Sequence, residues 1–350
     1  MKPLQPDTLL GYVPFQVFSE SRLNGILNYC SRKYVSKGRT LIEPGSFQTH
    51  AYFLMSGEVK CEKSGETITP AFPYALHYKY QKADTLVTLT DCSLFQVEHE
   101  ILDRFVCWAQ VSNYIKQDIA YQRQYDAQAD WMRTLLQSNL FYKVSPLNLQ
   151  KIFSFMSPVA VKQGQKIITQ GDAGDCCYFI KSGVASVTRV VEGKAKPVVL
   201  AELSVGQCVG EDALLHEATR NASVTMASDG LLMKMDKRDF LQLLREPVVD
   251  TLTLSDLDMV LQTGAILLDV RTEQEYEYEH LAGALCMPLD LLRVKSRLLD
   301  SYKMYVTYCD SDRRSKAAAH LLEQQGIRAR ALLGGLALMS SEQKRALVSG

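Results

Sequence analysis

The sequence predicts three folded domains: two β domains with flanking helices, followed by one α/β domain. Three observations carry this prediction. Residues before about position 250 recur at a constant offset of 126, and glycines punctuate short apolar segments in both copies. Near the C-terminus, an apolar strand runs into a cysteine, a short loop and an alanine-rich helix. A chain of 350 residues has room for two or three domains that each bury a core.

The internal repeat continues without gaps over some forty residues. Each copy reads as a helix followed by short strands, with turns at Gly171-Asp172 and Ser182-Gly183 in the second copy. Because chance rarely preserves one offset over so many positions, the two copies are predicted to share a fold. The first-copy positions are Phe15, Ser19, Leu23, Ile26, Val35, Gly38, Ile42, Gly45, Tyr52, Phe53, Ser56 and Gly57, and they recur as Phe141, Ser145, Leu149, Ile152, Val161, Gly164, Ile168, Gly171, Tyr178, Phe179, Ser182 and Gly183.

This strand, turn and glycine pattern resembles the jelly-roll cyclic-nucleotide-binding domain, which occurs in tandem in regulatory subunits of cAMP-dependent protein kinase. The resemblance implies a degenerate domain over residues 10–100, a connecting helical segment over 101–138 and a ligand-binding domain over 139–247.

Residues 209–224 of the second copy resemble the phosphate-binding cassette of that family. A short helix start would offer backbone amides to a cyclic phosphate, and Arg220 would add a charge-assisted contact. Glu211 would accept a hydrogen bond from the ribose 2′-hydroxyl, and Ser223 lies where the family places a hydroxyl near the purine. The alternative is that Glu211 and Arg220 pair with each other across a surface turn.

The ligand implied by the cassette is a cyclic nucleotide, either cAMP or cGMP, with a cyclic dinucleotide as an alternative. Two residues depart from the family pattern: Asn221 replaces a small residue, and Asp212 adds a negative charge. The predicted binding residues are Gly210, Glu211, Arg220, Asn221, Ala222 and Ser223.

The corresponding stretch of the first copy, residues 72–87, has Tyr74 in place of the acid and Ala83 in place of the arginine. We therefore do not expect it to bind a nucleotide in the usual way. Its lysines and tyrosines either hold an anion with a ring stacked on a base or lie in solvent or an interface. These residues are Tyr74, Tyr78, Lys79, Tyr80 and Lys82.

Two helical segments flank the second copy. Residues 101–137 contain no Gly or Pro and are predicted to form one helix or two. The resemblance implies that these helices transmit ligand binding or pair between the subunits of a homodimer, and the alternative is simple packing in a core. Asp236–Glu246 reads as a helix stopped by Pro247. The short connection that follows leaves no room for a DNA-reading helix pair, so no direct DNA contact is expected.

The loop from Cys309 to Arg314, named here the Cys309 loop, presents a cysteine to an anion. A helix N-terminus and a guanidinium both lower a thiol pKa, and loop amides cradle negative charge. The alternative is a buried cysteine at the end of a core strand. Arg313 and Arg314 argue against it, because a helix start disfavours cations unless an anion is near.

Residues 254–339 resemble a rhodanese domain, a sulfurtransferase fold with a parallel sheet, and the predicted domain covers 252–345. The family would make Cys309 the persulfide-carrying nucleophile, with Arg314 closing its loop. A loop of this length favours sulfur over phosphate. The matching segments are Leu267–Arg271, Glu279–Ala284 with Pro288, Cys309–Arg314 and Leu332–Gly335.

Four polar residues around the loop need separate interpretation. Asp310 and Asp312 would raise the thiol pKa and repel an anionic donor, so enzymatic activity is left open. Asp269 and His280 are interpreted as structural residues that fix loop geometry.

Composition excludes several classes of protein. Lys plus Arg equals Asp plus Glu at 39 each, which argues against nucleic-acid binding. No apolar stretch approaches 18 residues, and the first residues lack an apolar signal region, so neither a membrane span nor secretion is expected. The nine cysteines show no metal-ligand spacing, which favours reduced thiols in a cytoplasm and no metal.

Three functional hypotheses follow, in order of preference. The first is a cytoplasmic signalling protein in which a nucleotide at the second domain controls a rhodanese-like output domain or its protein partner. The second is a sulfurtransferase that uses a Cys309 persulfide, with the preceding domains regulatory or localising. The third is an interaction scaffold in which both sites have lapsed.

Overall fold

The computed structural model describes residues 4–42, 49–78, 85–122, 131–132, 134–136, 145–193, 196–339 and 348–349. The chain forms two compact units. One contains Met1–Tyr114 together with Val249–Gly350, and the other contains Ile115–Val248. The first β domain and the C-terminal domain therefore share one unit, although the second β domain separates them in sequence.

The first β domain consists of two antiparallel sheets with an aromatic core. Its strands are β1 (Ser31–Val35), β2 (Thr40–Ile42), β3 (His50–Ser56), β4 (Val59–Cys61), β5 (Thr67–Ile68), β6 (Leu86–Thr88) and β7 (Cys92–Glu98). The sheet orders are β1-β7-β3 and β2-β6-β4-β5. Phe53 of β3 and Phe95 of β7 are register partners whose rings stack at 4.7 Å, and Tyr12 and Phe15 pack edge-on against them. The helices are α1 (Pro6–Leu9), α2 (Glu20–Leu27) and α3 (His99–Gln122).

The second β domain repeats this architecture. Its strands are β8 (Ser157–Val161), β9 (Lys166–Ile168), β10 (Cys176–Ser182), β11 (Ala185–Arg189), β12 (Val198–Leu203), β13 (Cys208–Val209), β14 (Ser223–Met226) and β15 (Gly230–Asp236). The sheet orders are β13-β10-β15-β8 and β12-β11-β14-β9. A 3-10 helix, Pro146–Phe155, precedes the strands, and the α-helices are α4 (Glu211–Leu215) and α5 (Lys237–Leu244).

The strands confirm the sequence repeat and show where it breaks. β1, β2 and β3 have the same bounds as β8, β9 and β10 after a shift of 126 residues. The last strands, β7 and β15, are instead shifted by 138. The second domain therefore contains twelve more residues between its third and last strands. Most of them precede the predicted cassette, because residues 72–87 and 209–224 have the same length.

The C-terminal domain is α/β with a five-stranded parallel sheet, in the order β16-β21-β20-β17-β19. These strands are β16 (Thr251–Leu252), β17 (Ile266–Asp269), β19 (Leu285–Cys286), β20 (Tyr305–Tyr308) and β21 (Ala329–Leu332), and β18 (His280–Leu281) pairs with β22 (Val348–Ser349). The helices are α6 (Leu254–Gln262), α7 (Glu273–Tyr278), α8 (Leu292–Lys295) and α9 (Arg313–Glu323). All four residues of β20 are buried, and the Cys309 loop follows directly at the carboxyl end of this central strand.

The structure bears on several predictions made for individual helices and for the cysteines. The exit helix is confirmed as α5, and a helix does begin at Arg313. The connecting segment starts as one helix that ends at Gln122, whereas residues 123–130 lie outside the described part of the chain. All nine cysteines are free thiols. Within the described ranges, no helix has the length and apolar character needed to cross a membrane, and no cluster of His, Cys, Asp and Glu could hold a metal ion.

Candidate functional sites

The cassette of the second β domain begins at a glycine that its geometry requires. Gly210 has φ +90°, which favours glycine, and it immediately precedes α4. A Cβ atom at this position would lie 2.7 Å from Nη1 of Arg220 and 2.8 Å from Cδ1 of Ile168. The arginine can therefore approach the start of α4 only because residue 210 has no side chain.

Arg220 is buried and ties the start of the cassette to strand β10. Its Nη1 donates to the carbonyl oxygen of Gly210 at 2.7 Å, and its Nη2 donates to the carbonyl oxygen of Cys176 at 2.6 Å. Nη2 also forms an ion pair with Oδ1 of Asp175 at 3.0 Å. The observed ion pair of Arg220 is thus with Asp175, a residue that the sequence interpretation did not include.

Asp175 is the exposed member of this pair. Its side chain keeps 77% of its surface in solvent, against 4% for Arg220. Burial alone would raise the pKa of Asp175, but hydrogen bonds, including the one from Arg220, lower it overall. The carboxylate therefore stays charged beside a guanidinium that is fixed by backbone carbonyls.

The two departures from the family pattern contact each other. Nδ2 of Asn221 donates to Oδ2 of Asp212 at 3.2 Å, so the amide binds the extra acid of the cassette. Ala222 is buried, and Oγ of Ser223, at the start of β14, accepts from the backbone N–H of Gln170 at 2.9 Å. The predicted residues thus lie at the start of α4 and on the segment that leads into β14, and Arg220 and Ala222 are buried there.

In the C-terminal domain, Cys309 has no exposed area. Burial raises the pKa of its thiol to about 12, and the charges of Asp103 and Asp310 act in the same direction. Arg314 and the backbone N–H of Ser315 lower the pKa but do not compensate. Of the two opposing effects predicted for this thiol, the raising effect of a neighbouring acid acts together with burial and outweighs the lowering effect of Arg314.

Asp310 occupies the position expected for an anion. Its carboxylate accepts from Nη1 of Arg271 at 3.1 Å and from Nη2 of Arg314 at 2.9 Å. The hydroxyl of Tyr78, from the first β domain, donates to the same carboxylate at 2.6 Å. Burial opposes ionisation, but the two guanidiniums and Tyr78 hold the pKa of Asp310 well below its usual range.

Arg314 is also bound by a second carboxylate. Its Nη1 and Nη2 donate to the two oxygens of Glu275 at 2.8 and 3.0 Å, and Glu275 has no exposed area. Glu275 lies in α7, where it completes a capping box with Thr272. The arginine that was predicted to close the loop around an external anion is therefore paired with acids of the chain itself.

Residues of the first β domain complete the surroundings of the Cys309 loop. Oγ of Ser311 donates to Oδ2 of Asp103, a residue of α3, at 2.6 Å. The hydroxyl of Tyr74 donates to the carbonyl oxygen of Gln274 at 3.1 Å. The interface interpretation is thus confirmed for Tyr74 and Tyr78, whereas Lys79, Tyr80, Lys82 and Ala83 lie outside the described residues.

Predictions were also made for three other polar residues near this loop, Asp312, Asp269 and His280. Asp312 forms an ion pair with Lys316 at 2.5 Å, and its predicted repulsion of an anionic donor stays a prediction. Asp269 accepts from Arg271 at 2.8 Å, and the ring of His280 stacks on that of Tyr276 at 3.9 Å. Both of these residues have structural contacts, as predicted.

Arg271, Asp103 and Glu275 were not predicted as part of this site, and Tyr78 was predicted only as an anion-binding, solvent or interface residue of the first copy. Arg271 carried a signal, since it ends the Leu267–Arg271 segment at the edge where parallel strands terminate. Tyr78 and Asp103 come from the first β domain, and only the packing of that domain against the C-terminal domain brings them to the Cys309 loop. Glu275 belongs to the C-terminal domain itself, where α7 places it beside Arg314.

Comparison with known proteins identifies both kinds of domain. The family model for the cyclic nucleotide-binding domain matches residues 158–246, and that for the rhodanese-like domain matches residues 253–342. The chain therefore contains one cyclic nucleotide-binding domain followed by a rhodanese-like domain.

Curated relatives match about two thirds of the chain. A cAMP-dependent protein kinase regulatory subunit from Eremothecium gossypii is 27% identical over 66% of this chain and 47% of its own length. The cGMP-dependent protein kinase egl-4 from Caenorhabditis elegans is 26% identical over 58% of this chain and 25% of its own length. Among solved structures, the regulatory domain of Toxoplasma gondii PKA with cAMP has 20% identity and a TM-score of 0.31, and the alignment covers 74% of this chain and 94% of that one. The chain spans about half the length of the curated regulatory subunits that it matches.

Proposed function

We propose that this chain is a signalling protein that binds a cyclic nucleotide in its second β domain. The observation that supports this most is the fixed approach of Arg220 to Gly210 at the start of α4, inside the segment that matches the cyclic nucleotide-binding family. The names of the relatives, cAMP- and cGMP-dependent kinases or their subunits, favour cAMP or cGMP over a cyclic dinucleotide.

In this proposal the cyclic phosphate lies between Arg220 and the first amides of α4. Glu211 accepts from the ribose 2′-hydroxyl, and Ser223 faces the purine. The phosphate replaces Asp175, whose exposed carboxylate is free to turn toward solvent. Arg220 keeps its two backbone carbonyl contacts during this exchange, so the site is organised before the ligand arrives.

We further infer that the first β domain is a diverged copy of the same jelly-roll fold that does not bind a nucleotide. Its first three strands share the offset of 126 with those of the second domain, but Tyr74 and Ala83 replace the acid and the arginine of the cassette. Its Tyr74 and Tyr78 contact the C-terminal domain instead. The output of the protein is then the compact unit formed by the first β domain and the rhodanese-like domain together. A cytoplasmic location stays a prediction.

Isothermal titration calorimetry tests nucleotide binding directly. The full chain is titrated with cAMP, cGMP and a cyclic dinucleotide, and we expect a single site. Arg220→Ala should weaken binding at least a hundredfold, and Glu211→Gln about tenfold, because each loses a charge-assisted hydrogen bond to ligand.

Arg238→Ala provides the matched control, because Arg238 lies in the same domain and its side chain is 92% exposed. It should bind like the wild type. Circular dichroism establishes that each variant is folded. Absence of heat and of competition with a fluorescent cyclic nucleotide for the wild type would exclude the sensory function.

Sulfur transfer gains no support from this arrangement. A persulfide enzyme needs a thiolate that its donor can reach, whereas Cys309 is buried with a raised pKa and Arg314 is bound by Glu275 and Asp310. The hypothesis that Cys309 and Arg314 are catalytic remains testable by thiosulfate-to-cyanide sulfur transfer with Cys309→Ser as the control.

A further inference from the structure

We propose that the Cys309 loop is an oxyanion site that the chain itself occupies. The Asp310 carboxylate is the built-in anion, and the hydroxyl of Tyr78 from the first β domain donates a hydrogen bond to it. In this arrangement the loop joins two domains and does not admit an external substrate. The class of ligand that it excludes is a small tetrahedral oxyanion such as thiosulfate or sulfate.

The positions of the charged groups around Asp310 are the first observation that supports this proposal. Arg271 and Arg314 both direct a guanidinium nitrogen to Asp310, at 3.1 and 2.9 Å. The side chains of the two arginines retain 1% and 3% exposure, whereas that of Asp310 retains 29%. The carboxylate therefore stands between the two guanidiniums and solvent, where an external anion would have to enter.

The balance between carboxylates and guanidiniums around Asp310 is the second observation. Asp269 pairs with Arg271 at 2.8 Å, and Glu275 pairs with Arg314 at 2.8 Å. Asp103 pairs with both Arg313 and Arg314, at 3.6 and 3.5 Å. With Asp310 shared between Arg271 and Arg314, four carboxylates thus face three guanidiniums. An additional anion would meet net negative charge and would have to displace a tethered carboxylate that is always present at high effective concentration.

The contact that the first β domain makes with the loop is the third observation. Tyr78 belongs to the stretch that corresponds to the cassette of the second domain, and its hydroxyl contacts both Asp310 and Glu275. Tyr74, which replaces the cassette glutamate, packs its ring 4.4 Å from that of Tyr278. The surface that receives a nucleotide in one copy is thus used in the other copy to contact the Cys309 loop.

The decisive variant removes the built-in anion. Asp310→Gly in the full chain should create measurable binding of thiosulfate and sulfate by calorimetry, at least tenfold tighter than any binding by the wild type. Asp312→Gly is the matched control, since Asp312 lies two residues away but pairs with Lys316. It should leave the wild-type behaviour unchanged.

A second measurement uses the wild type, so the test does not depend on how well a variant folds. The native chain is treated with iodoacetamide, and the labelling of Cys309 is followed by peptide mass spectrometry. We expect Cys309 to be labelled at least a hundredfold more slowly in the native chain than in urea.

Three results would overturn the proposal. The first is thiosulfate binding or sulfur transfer by the wild type, and the second is rapid native labelling of Cys309. The third is a folded Asp310→Gly variant that binds no oxyanion, because the two arginines would then not form a latent site. None of these results bears on nucleotide binding by the second β domain.

Discussion

The hydroxyl group of Tyr78 lies 2.6 Å from Oδ2 of Asp310, although 232 residues separate the two in sequence. The same hydroxyl lies 2.7 Å from Oε1 of Glu275. A phenol has one proton, so it can donate to only one of these carboxylates at a time. The contact is therefore a shared hydrogen bond between charged acceptors, of the kind that is stronger than a neutral pair.

Tyr78→Phe should destabilise the unit that contains both domains by about 1.5–3 kcal/mol, the usual range for a hydrogen bond to a charged group. The variant keeps the ring and removes only the donor. Because the whole chain need not unfold in one step, urea unfolding is followed by the exposure of Cys309 to a thiol reagent, which reports on this unit.

Tyr74→Phe is the comparison for this measurement. Tyr74 donates to a neutral carbonyl oxygen at 3.1 Å, so its loss should cost about 1 kcal/mol or less. Equal effects of the two variants would show that the charged acceptors add nothing to the Tyr78 contact.

Stability at alkaline pH should also depend on Tyr78. Burial, followed by the charges of Asp310 and Glu275, raises the pKa of Tyr78 well above its ordinary value of 10. The folded chain then keeps a proton that the unfolded chain releases above about pH 10, so this contribution is intact below that pH and falls as the pH rises towards the folded pKa.

The measurement is the difference in unfolding free energy between the wild type and Tyr78→Phe at a series of pH values. This difference should be constant from pH 7 to 9 and shrink above about pH 10. Other buried tyrosines lose stability in both proteins and cancel. A difference that stays constant to pH 11 would contradict the raised pKa.

The Gly334-Gly335 turn should control the shape of the Cys309 loop. Gly335 has φ +51°, and a Cβ atom there would lie 2.1 Å from the carbonyl oxygens of both Cys309 and Ser311. Gly335→Ala must displace the loop backbone, so we expect a loss of more than about 3 kcal/mol, as for severe overpacking combined with backbone strain.

Gly326→Ala separates the steric effect from the conformational one. Gly326 also has a positive φ, +79°, but a Cβ atom there would meet nothing within 4 Å. The expected cost is about 1 kcal/mol, from backbone strain alone. Thermal unfolding of both variants, compared with the wild type, measures the two costs.

Local patterns in the sequence predicted several of the elements, because the residues that form them are neighbours in the chain. The offset of 126 identified β1 to β3 with β8 to β10, and the apolar segment before Cys309 predicted β20. The surroundings of Asp310 could not be predicted in this way. They depend on the contacts of Tyr78 and Asp103 with residues that follow 232 and 208 positions later, and no periodicity encodes such contacts.

The cassette also contains a contact that could not be predicted from its sequence, although both partners lie in one domain. Gly210 and Arg220 were predicted from their spacing, but the ion pair of Arg220 with Asp175 depends on the path of β10. A sequence places the arginine near the glycine, whereas only the fold decides which carboxylate faces it before a ligand binds.

Gly210→Ala should weaken nucleotide binding without unfolding the second β domain. The added methyl group would lie 2.7 Å from Nη1 of Arg220, so the guanidinium must leave the carbonyl oxygen of Gly210 and with it the position required for a phosphate. Calorimetry should show at least a tenfold loss of affinity for the nucleotide that the wild type prefers. Gly164→Ala is the matched control, since Gly164 has φ +79° in the same domain and open space around its Cβ position. Because it shares the backbone strain but not the contact with Arg220, equal losses in the two variants would assign the effect to strain and remove Gly210 from the site.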